Sequence, residues 1–183
     1  MVRSSVLSSI RACYTDPSFT KALPFMSSSK DWPVIRYADV LLMKAEALIE
    51  LNRETEALSL INAIRTRAKA STALLKQADG SATSNYLMNT YQPGVNCVWT
   101  NAYAKQALRF ERRLEFAMEG YHFYDLVRWG IAADFINNYF AVEKNRTPHL
   151  AGAAFKKNRD EYLLIPQNQI NYSKGLYKQN SGW

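Results

Sequence analysis

Glu111 stands three residues after Leu108 and three before Leu114. That spacing puts its carboxylate at the edge of an apolar helical stripe, where an unpaired charge is costly. Such a group is either a general acid or one half of an ion pair. Arg112 follows it directly, but adjacent helical residues diverge by about 100°. The expected partner is therefore Arg65, Arg36 or Arg128, and the expected role is structural. Glu111, Arg112, Arg65, Arg36, Asp125 and Arg128 together are the candidates for an ion-pair network tying helices to one another.

Other chemistry finds less support. His122 and Asp125 have the types for acid–base work, and His149 for a metal ligand. No second His lies at the helical spacing of a zinc site, and no Ser or Cys sits in a nucleophile elbow. Carboxylates for glycoside hydrolysis cannot be paired by reading spacing alone. No enzyme, no cofactor and no metal are expected. Cys13 and Cys97 show no metal-ligand spacing, and whether they pair is left open.

A second group is aromatic. Tyr86, Tyr91 and Trp99 lie in a stretch, 71–102, that loses helical periodicity and gathers Gly80, Asn85, Asn89, Pro93, Gly94 and Asn96. Long loops in compact domains tend to carry function. Aromatic faces with polar tips suit sugar rings, so these three are the candidate ligand-binding residues, Trp99 foremost as an exposed ring with few core contacts. The competing role is to fasten the loop to the helices.

The elements that would position both groups are helical. Val34, Ala38, Leu41, Ala45 and Leu48 share one face, with Arg36, Asp39, Met43, Glu46 and Glu50 on a largely polar one. Asp31-Trp32-Pro33 is a start signal and Asn52 a stop. Ala57, Ile61, Ile64 and Ala68 form the inner face of an antiparallel partner. Tyr103, Ala107, Phe110, Leu114 and Ala117 define a third helix closed by Gly120, and Phe123, Leu126, Val127 and Ile131 a fourth, with Gly130 weakening its interior. The predicted spans are 34–51, 54–70, 102–119 and 121–139. The fold class is all-α, with tetratricopeptide-like hairpins, long loops and an irregular C-terminal tail. In that tail Tyr162 to Ile165 reads as extended, and Asn168 as the cap of a further helical turn.

Composition sets the outer bounds. The chain has 183 residues, 48% of them hydrophobic, which suits one globular domain at 32–183 after an irregular, Ser-rich lead-in at 1–31. No run reaches the roughly 18 apolar residues a spanning helix needs. Serines and Arg11 interrupt the first residues, so they make a poor secretory signal. The formal charge is +7, yet Lys and Arg alternate with Asp and Glu along the chain, and no nucleic-acid partner is expected.

Six motifs then occur in a recognisable order. Pro33-Val34-Ile35-Arg36-Tyr37-Ala38-Asp39-Val40-Leu41-Leu42-Met43 leads into Lys44-Ala45-Glu46-Ala47, and Ile61-Asn62-Ala63-Ile64-Arg65-Thr66-Arg67-Ala68 follows. Further on come Glu111-Arg112-Arg113-Leu114-Glu115-Phe116-Ala117-Met118-Glu119-Gly120 and Phe123-Tyr124-Asp125-Leu126-Val127-Arg128-Trp129-Gly130. Leu164-Ile165-Pro166-Gln167-Asn168-Gln169-Ile170 and Gln179-Asn180-Ser181-Gly182-Trp183 complete the set. Residues 32–183 thereby resemble the C-terminal portion of the SusD/RagB family. The resemblance implies a cell-surface, outer-membrane lipoprotein that captures an oligosaccharide or other nutrient. It also implies delivery to a SusC-type TonB-dependent transporter. The lipid-bearing cysteine, the targeting signal and much of the ligand-binding half would lie outside this chain. The alternative is a tetratricopeptide-type interaction scaffold without a small ligand. A scaffold would show several hairpins at a period of about 34 residues, and one is evident here.

Overall fold

A computed structural model describes residues 34–183. They contain six α-helices, one 3₁₀ turn at Pro148–Leu150 and two isolated bridges, with no strand among the described residues. They form two compact units, one ending at Glu119 and one running from Gly120 to Trp183.

The first unit holds α1 (Tyr37–Glu50), α2 (Glu54–Thr72) and α3 (Asn101–Glu115). Arg36 is the extended residue before α1, whereas the start signal at Asp31-Trp32-Pro33 lies outside the described residues. Asn52 takes the left-handed conformation at φ 57°, and Arg53 N–H bonds Leu48 O across six residues at 2.8 Å. This closure satisfies carbonyls at the helix end and turns the chain into α2. Thr100 caps α3 by accepting from the Tyr103 amide at 3.2 Å.

All three helices of this unit pack on one another. Ala38, Ala45, Ala57, Ala104 and Ala107 are buried at their contacts, where small side chains let helix axes approach. Leu42, Ile49 and Ile61 fill the centre, each stabilising the fold by about 2 kcal/mol. The expected face of α1 is thus rotated slightly. Leu42 is buried where Leu41 was expected, and Val34 is 75% exposed.

The second unit holds α4 (Tyr121–Arg128), α5 (Ala132–Glu143) and α6 (Gln167–Tyr172). The expected third helix, 102–119, stops at Glu115 because Met118 and Gly120 both take positive φ. The expected fourth helix is two: Gly130 at φ 69° interrupts it, and α5 restarts after Ile131. Of the run 162–165 read as extended, Tyr162 is a bend and 163–165 are without helix, and α6 begins after Pro166, with Asn168 inside it instead of capping it. Buried apolar residues here are only Leu126 and Ala132, so other contacts must hold the unit.

Among those contacts are side-chain amides. Asn137 accepts from the Phe155 amide at 2.8 Å and donates to its carbonyl at 2.9 Å, pairing with it as a neighbouring strand would. Gln179 pairs with Ile165 the same way, at 2.9 Å for both bonds. Asn180 bonds Leu163 O at 2.6 Å, and the Trp183 indole N–H reaches Arg159 O and Tyr162 O. The closing motif is therefore a clasp on 159–165, with the Arg159 guanidinium over the Trp183 ring at 4.8 Å. A side chain at Gly182 would meet Arg159 Cγ at 2.9 Å.

Candidate functional site

The inner face of α3 is charged. Ala104, Ala107, Leu108, Glu111, Arg112 and Glu115 are its buried residues, so the packed stripe is offset from the apolar one read from sequence, and Phe110 is 51% exposed. The reason is that each buried charge meets a specific opposite from α1 or α2. Glu111 pairs with Arg65 of α2. Arg112 bonds Asp39 of α1 at 2.7 Å, with both side chains over nine-tenths buried. Glu115 accepts from Arg36 on one oxygen at 2.8 Å and from Arg67 on the other. Beyond the helix end, Glu119 takes Arg36 in a two-point bond at 2.9 and 3.0 Å. The guanidinium groups of Arg36 and Arg112 lie over the Phe116 ring at 4.9 and 5.1 Å.

Three of the sequence motifs thus meet in one network. Arg65 is the Glu111 partner among those expected, and Asp39, Arg67, Glu115, Glu119 and Phe116 belong to the network although sequence reasoning did not select them. Asp39 on the "polar" face of α1 is 6% exposed, which corrects its expected solvent exposure. Apolar periodicity has no means of scoring a carboxylate whose guanidinium lies far along the chain. Asp125 and Arg128 form a local pair at 2.9 Å in the second unit, with the Arg128 guanidinium over Trp129 at 4.9 Å.

The same α2 face grips the loop that precedes α3. Asn62 accepts from the Tyr91 amide at 2.8 Å and donates to its carbonyl at 2.9 Å. Arg65 Nε bonds Asn89 O at 2.6 Å, and its guanidinium lies 4.4 Å from the Tyr91 ring centroid. Tyr91 hydroxyl donates to Glu111 at 3.2 Å, and the Trp99 indole N–H to Glu54 O at 2.8 Å. The segment therefore retraces α2 from its C-terminal half back to its first turn.

Tyr91, Trp99 and Tyr103 form a cluster of half-buried rings, with centroids 5.5, 5.9 and 6.0 Å apart. Tyr103, read as a core residue of α3, completes it. Trp99 is thus not a ring with few contacts, because its N–H is consumed by a helix carbonyl and two tyrosines flank it. Tyr86 stands apart from that cluster, its hydroxyl bonded to Thr83 at 2.6 Å.

Burial sets the electrostatics. It pushes the Glu111 carboxyl up, against the pull of the Arg65 guanidinium and the Tyr91 hydrogen bond. Burial, reinforced by the Glu111 charge, also pushes the Tyr91 hydroxyl up, so that it remains a donor. Both groups are engaged in holding the loop, which is a positioning role. His122 packs edge-on against Phe135 at 5.3 Å. Among the described residues no group of three His, Cys, Asp or Glu side chains is arranged to hold a metal ion. Cys97 is half-buried, and Cys13 lies outside the described residues.

Tetratricopeptide-like hairpin, buried arginine–carboxylate lattice and clasped tail together define a helical scaffold whose loops are held in fixed positions. The comparisons with known proteins agree. The SusD family pattern matches residues 23–183. SusD-like protein P38 of Formosa agariphila is 33% identical over 114 residues, which are 62% of this chain and 20% of that protein. SusD-like protein P25 of the same organism is 34% identical over 115 residues, 63% of this chain and 18% of that one. A crystal structure of a SusD superfamily protein from Bacteroides vulgatus superposes with a TM-score of 0.58 at 28% identity, covering 81% of this chain and 27% of the other. The chain belongs to the SusD family, and it spans about a fifth of the length of the curated relatives it matches.

Proposed function

We propose that this chain is the helical C-terminal part of a nutrient-binding protein, not an enzyme, and that the complete gene product captures an oligosaccharide at the cell surface. Family membership over residues 23–183 carries the reading. On this reading the protein is an outer-membrane lipoprotein. It passes its ligand to a SusC-type TonB-dependent transporter. Support for a contact with such a partner comes from the outer face of α1, where Tyr37, Val40, Met43 and Leu51 are exposed. Exposed apolar side chains gathered on one side of a helix, here with Lys44 among them, occur at interaction surfaces.

The ligand face includes the loop of Tyr86, Tyr91 and Trp99. What supports this is the fixed orientation of the Tyr91 and Trp99 rings: a half-buried ring with its polar tip satisfied presents its remaining surface at little entropic cost. The scaffold alternative loses ground because the loop already lies along α2, on a face an extended peptide would otherwise use. The buried ion pairs are structural in this account.

The test uses the complete gene product. It should bind at least one neutral oligosaccharide by titration calorimetry and co-purify with the transporter encoded beside it. Absence of any glycan binding, with peptide binding in its place, would favour the scaffold.

A further inference from the structure

The carboxamides whose bonds are described above are spent on backbone: Asn62 on Tyr91, Asn137 on Phe155, Gln179 on Ile165 and Asn180 on Leu163. Helix α6 differs. Asn168, Asn171 and Tyr172 stand at i, i+3 and i+4, hence on one face of it. They line an open surface depression of about 410 Å³. Among the described residues nothing bonds the Asn168 carboxamide or the Tyr172 hydroxyl, and Asn171 is engaged only through its carbonyl oxygen, by Gln167 at 2.9 Å. The Tyr172 ring is 83% exposed.

The helix is nevertheless held firmly. The reciprocal Gln179–Ile165 pair closes the loop that contains it. Within that loop Ser173 Oγ donates to Ile170 O at 2.7 Å and accepts from the Tyr177 amide at 2.9 Å. Lys174 and Gly175, at φ 52° and 90°, complete the turn. Unused donors and acceptors beside an exposed ring are therefore presented on a closed platform.

We propose that this depression is a second carbohydrate-binding site, for one or two units of a neutral sugar chain. This deepens the nutrient-binding reading and rests on it. Carboxamides offer both a donor and an acceptor, which suits adjacent sugar hydroxyls, and the ring face suits the C–H face of a pyranose. None of the described residues that line it is charged, which fits a neutral ligand. Three side chains give low affinity, on the order of millimolar, and the site adds to a stronger one on the same molecule by holding a second part of a long chain.

The site lies wholly within this chain and is tested on it by saturation-transfer NMR with linear neutral glucan, xylan and mannan hexasaccharides. At least one should show transfer. Tyr172→Ala should weaken it about tenfold, the size of one lost ring contact. Tyr172→Phe should retain most of it, and Asn168→Ala should weaken it. Circular dichroism of each variant should match the parent, since Tyr172 and Asn168 make no hydrogen bond among the described residues. Transfer undiminished by Tyr172→Ala and by Asn168→Ala overturns the second site while leaving glycan binding standing. If the complete gene product binds a glycan and this chain gives no transfer with any hexasaccharide, the site is again overturned and the proposed function survives. If neither shows binding, both fall.

Discussion

The helices up to Glu119 and the segment from Gly120 onward solve the same problem differently. In the first unit Asp39, Glu111, Arg112 and Glu115 are buried, each matched by a partner on another helix. These pairs fix which helix meets which, and in what register, while the alanines set how closely they pack. In the second unit few apolar side chains are buried, Asp125 is buried against its own helix's Arg128, and the tail is kept in place by neutral amide pairs and aromatic contacts. Buried charge is unforgiving, since loss of one partner strands the other. A neutral clasp on a largely exposed segment has water as a substitute. The two units should therefore respond very differently to single substitutions.

The largest effect is expected at the Arg112–Asp39 pair, the most buried one described. Arg112→Ala should cost about 3–5 kcal/mol in urea unfolding, because Asp39 is left charged and without its partner. Asp39→Ala should cost a similar amount. Replacement of both by apolar residues should recover much of it.

Trp99→Ala should come next, at about 2 kcal/mol, through lost ring contacts and a vacated Glu54 carbonyl. That figure follows from the correction of Trp99 from an exposed ring with few core contacts to a packed one. Gln179→Ala should cost only about 1 kcal/mol, because the Ile165 groups it releases can turn to water. A loss at Gln179 as large as that at Arg112 would erase the distinction between the units.

The smallest effect concerns pH. The Glu111 carboxyl is raised in the folded state, so the fold binds that proton more tightly than the unfolded chain does. Its contribution is fully present below the unfolded value, about pH 4.3, and is lost as pH rises through the folded value. Stability of the parent relative to Glu111→Gln, which does not titrate, should therefore fall with rising pH across that window. Urea midpoints of both proteins measured from pH 4 to 7 check the sign.

How much of this was legible in the sequence follows from the kind of contact. Helix α2 was readable because Ala57, Ile61 and Ile64 repeat at the helical period and all three are buried. Asn52 announced its turn because few other residues accept that backbone conformation. The buried side of α3 was read in part: Glu111 stood out at the edge of the apolar stripe as needing an arginine, whereas Glu115 counts as solvent-facing in any apolar pattern, and the partners lie 46 to 79 residues away. The motifs did flag those positions, without saying why. The break at Gly130 was half legible, since a glycine weakens a helix without dictating where it restarts. The loop path was not legible at all: Asn62 is an unremarkable polar residue on α2 until Tyr91 is seen to lie beside it.

On the proposed function, the motif charges build the scaffold and recognition belongs to loop and surface residues. The most direct test is Glu111→Ala in the complete gene product, read for stability and for oligosaccharide affinity together. The predicted result is a loss of about 3 kcal/mol in unfolding free energy, with Kd weakened only modestly in the molecules that remain folded, because Tyr91 loses one of the contacts that orient it. A collapse of glycan affinity in a protein of unaltered stability would contradict it and place Glu111 in the ligand's path.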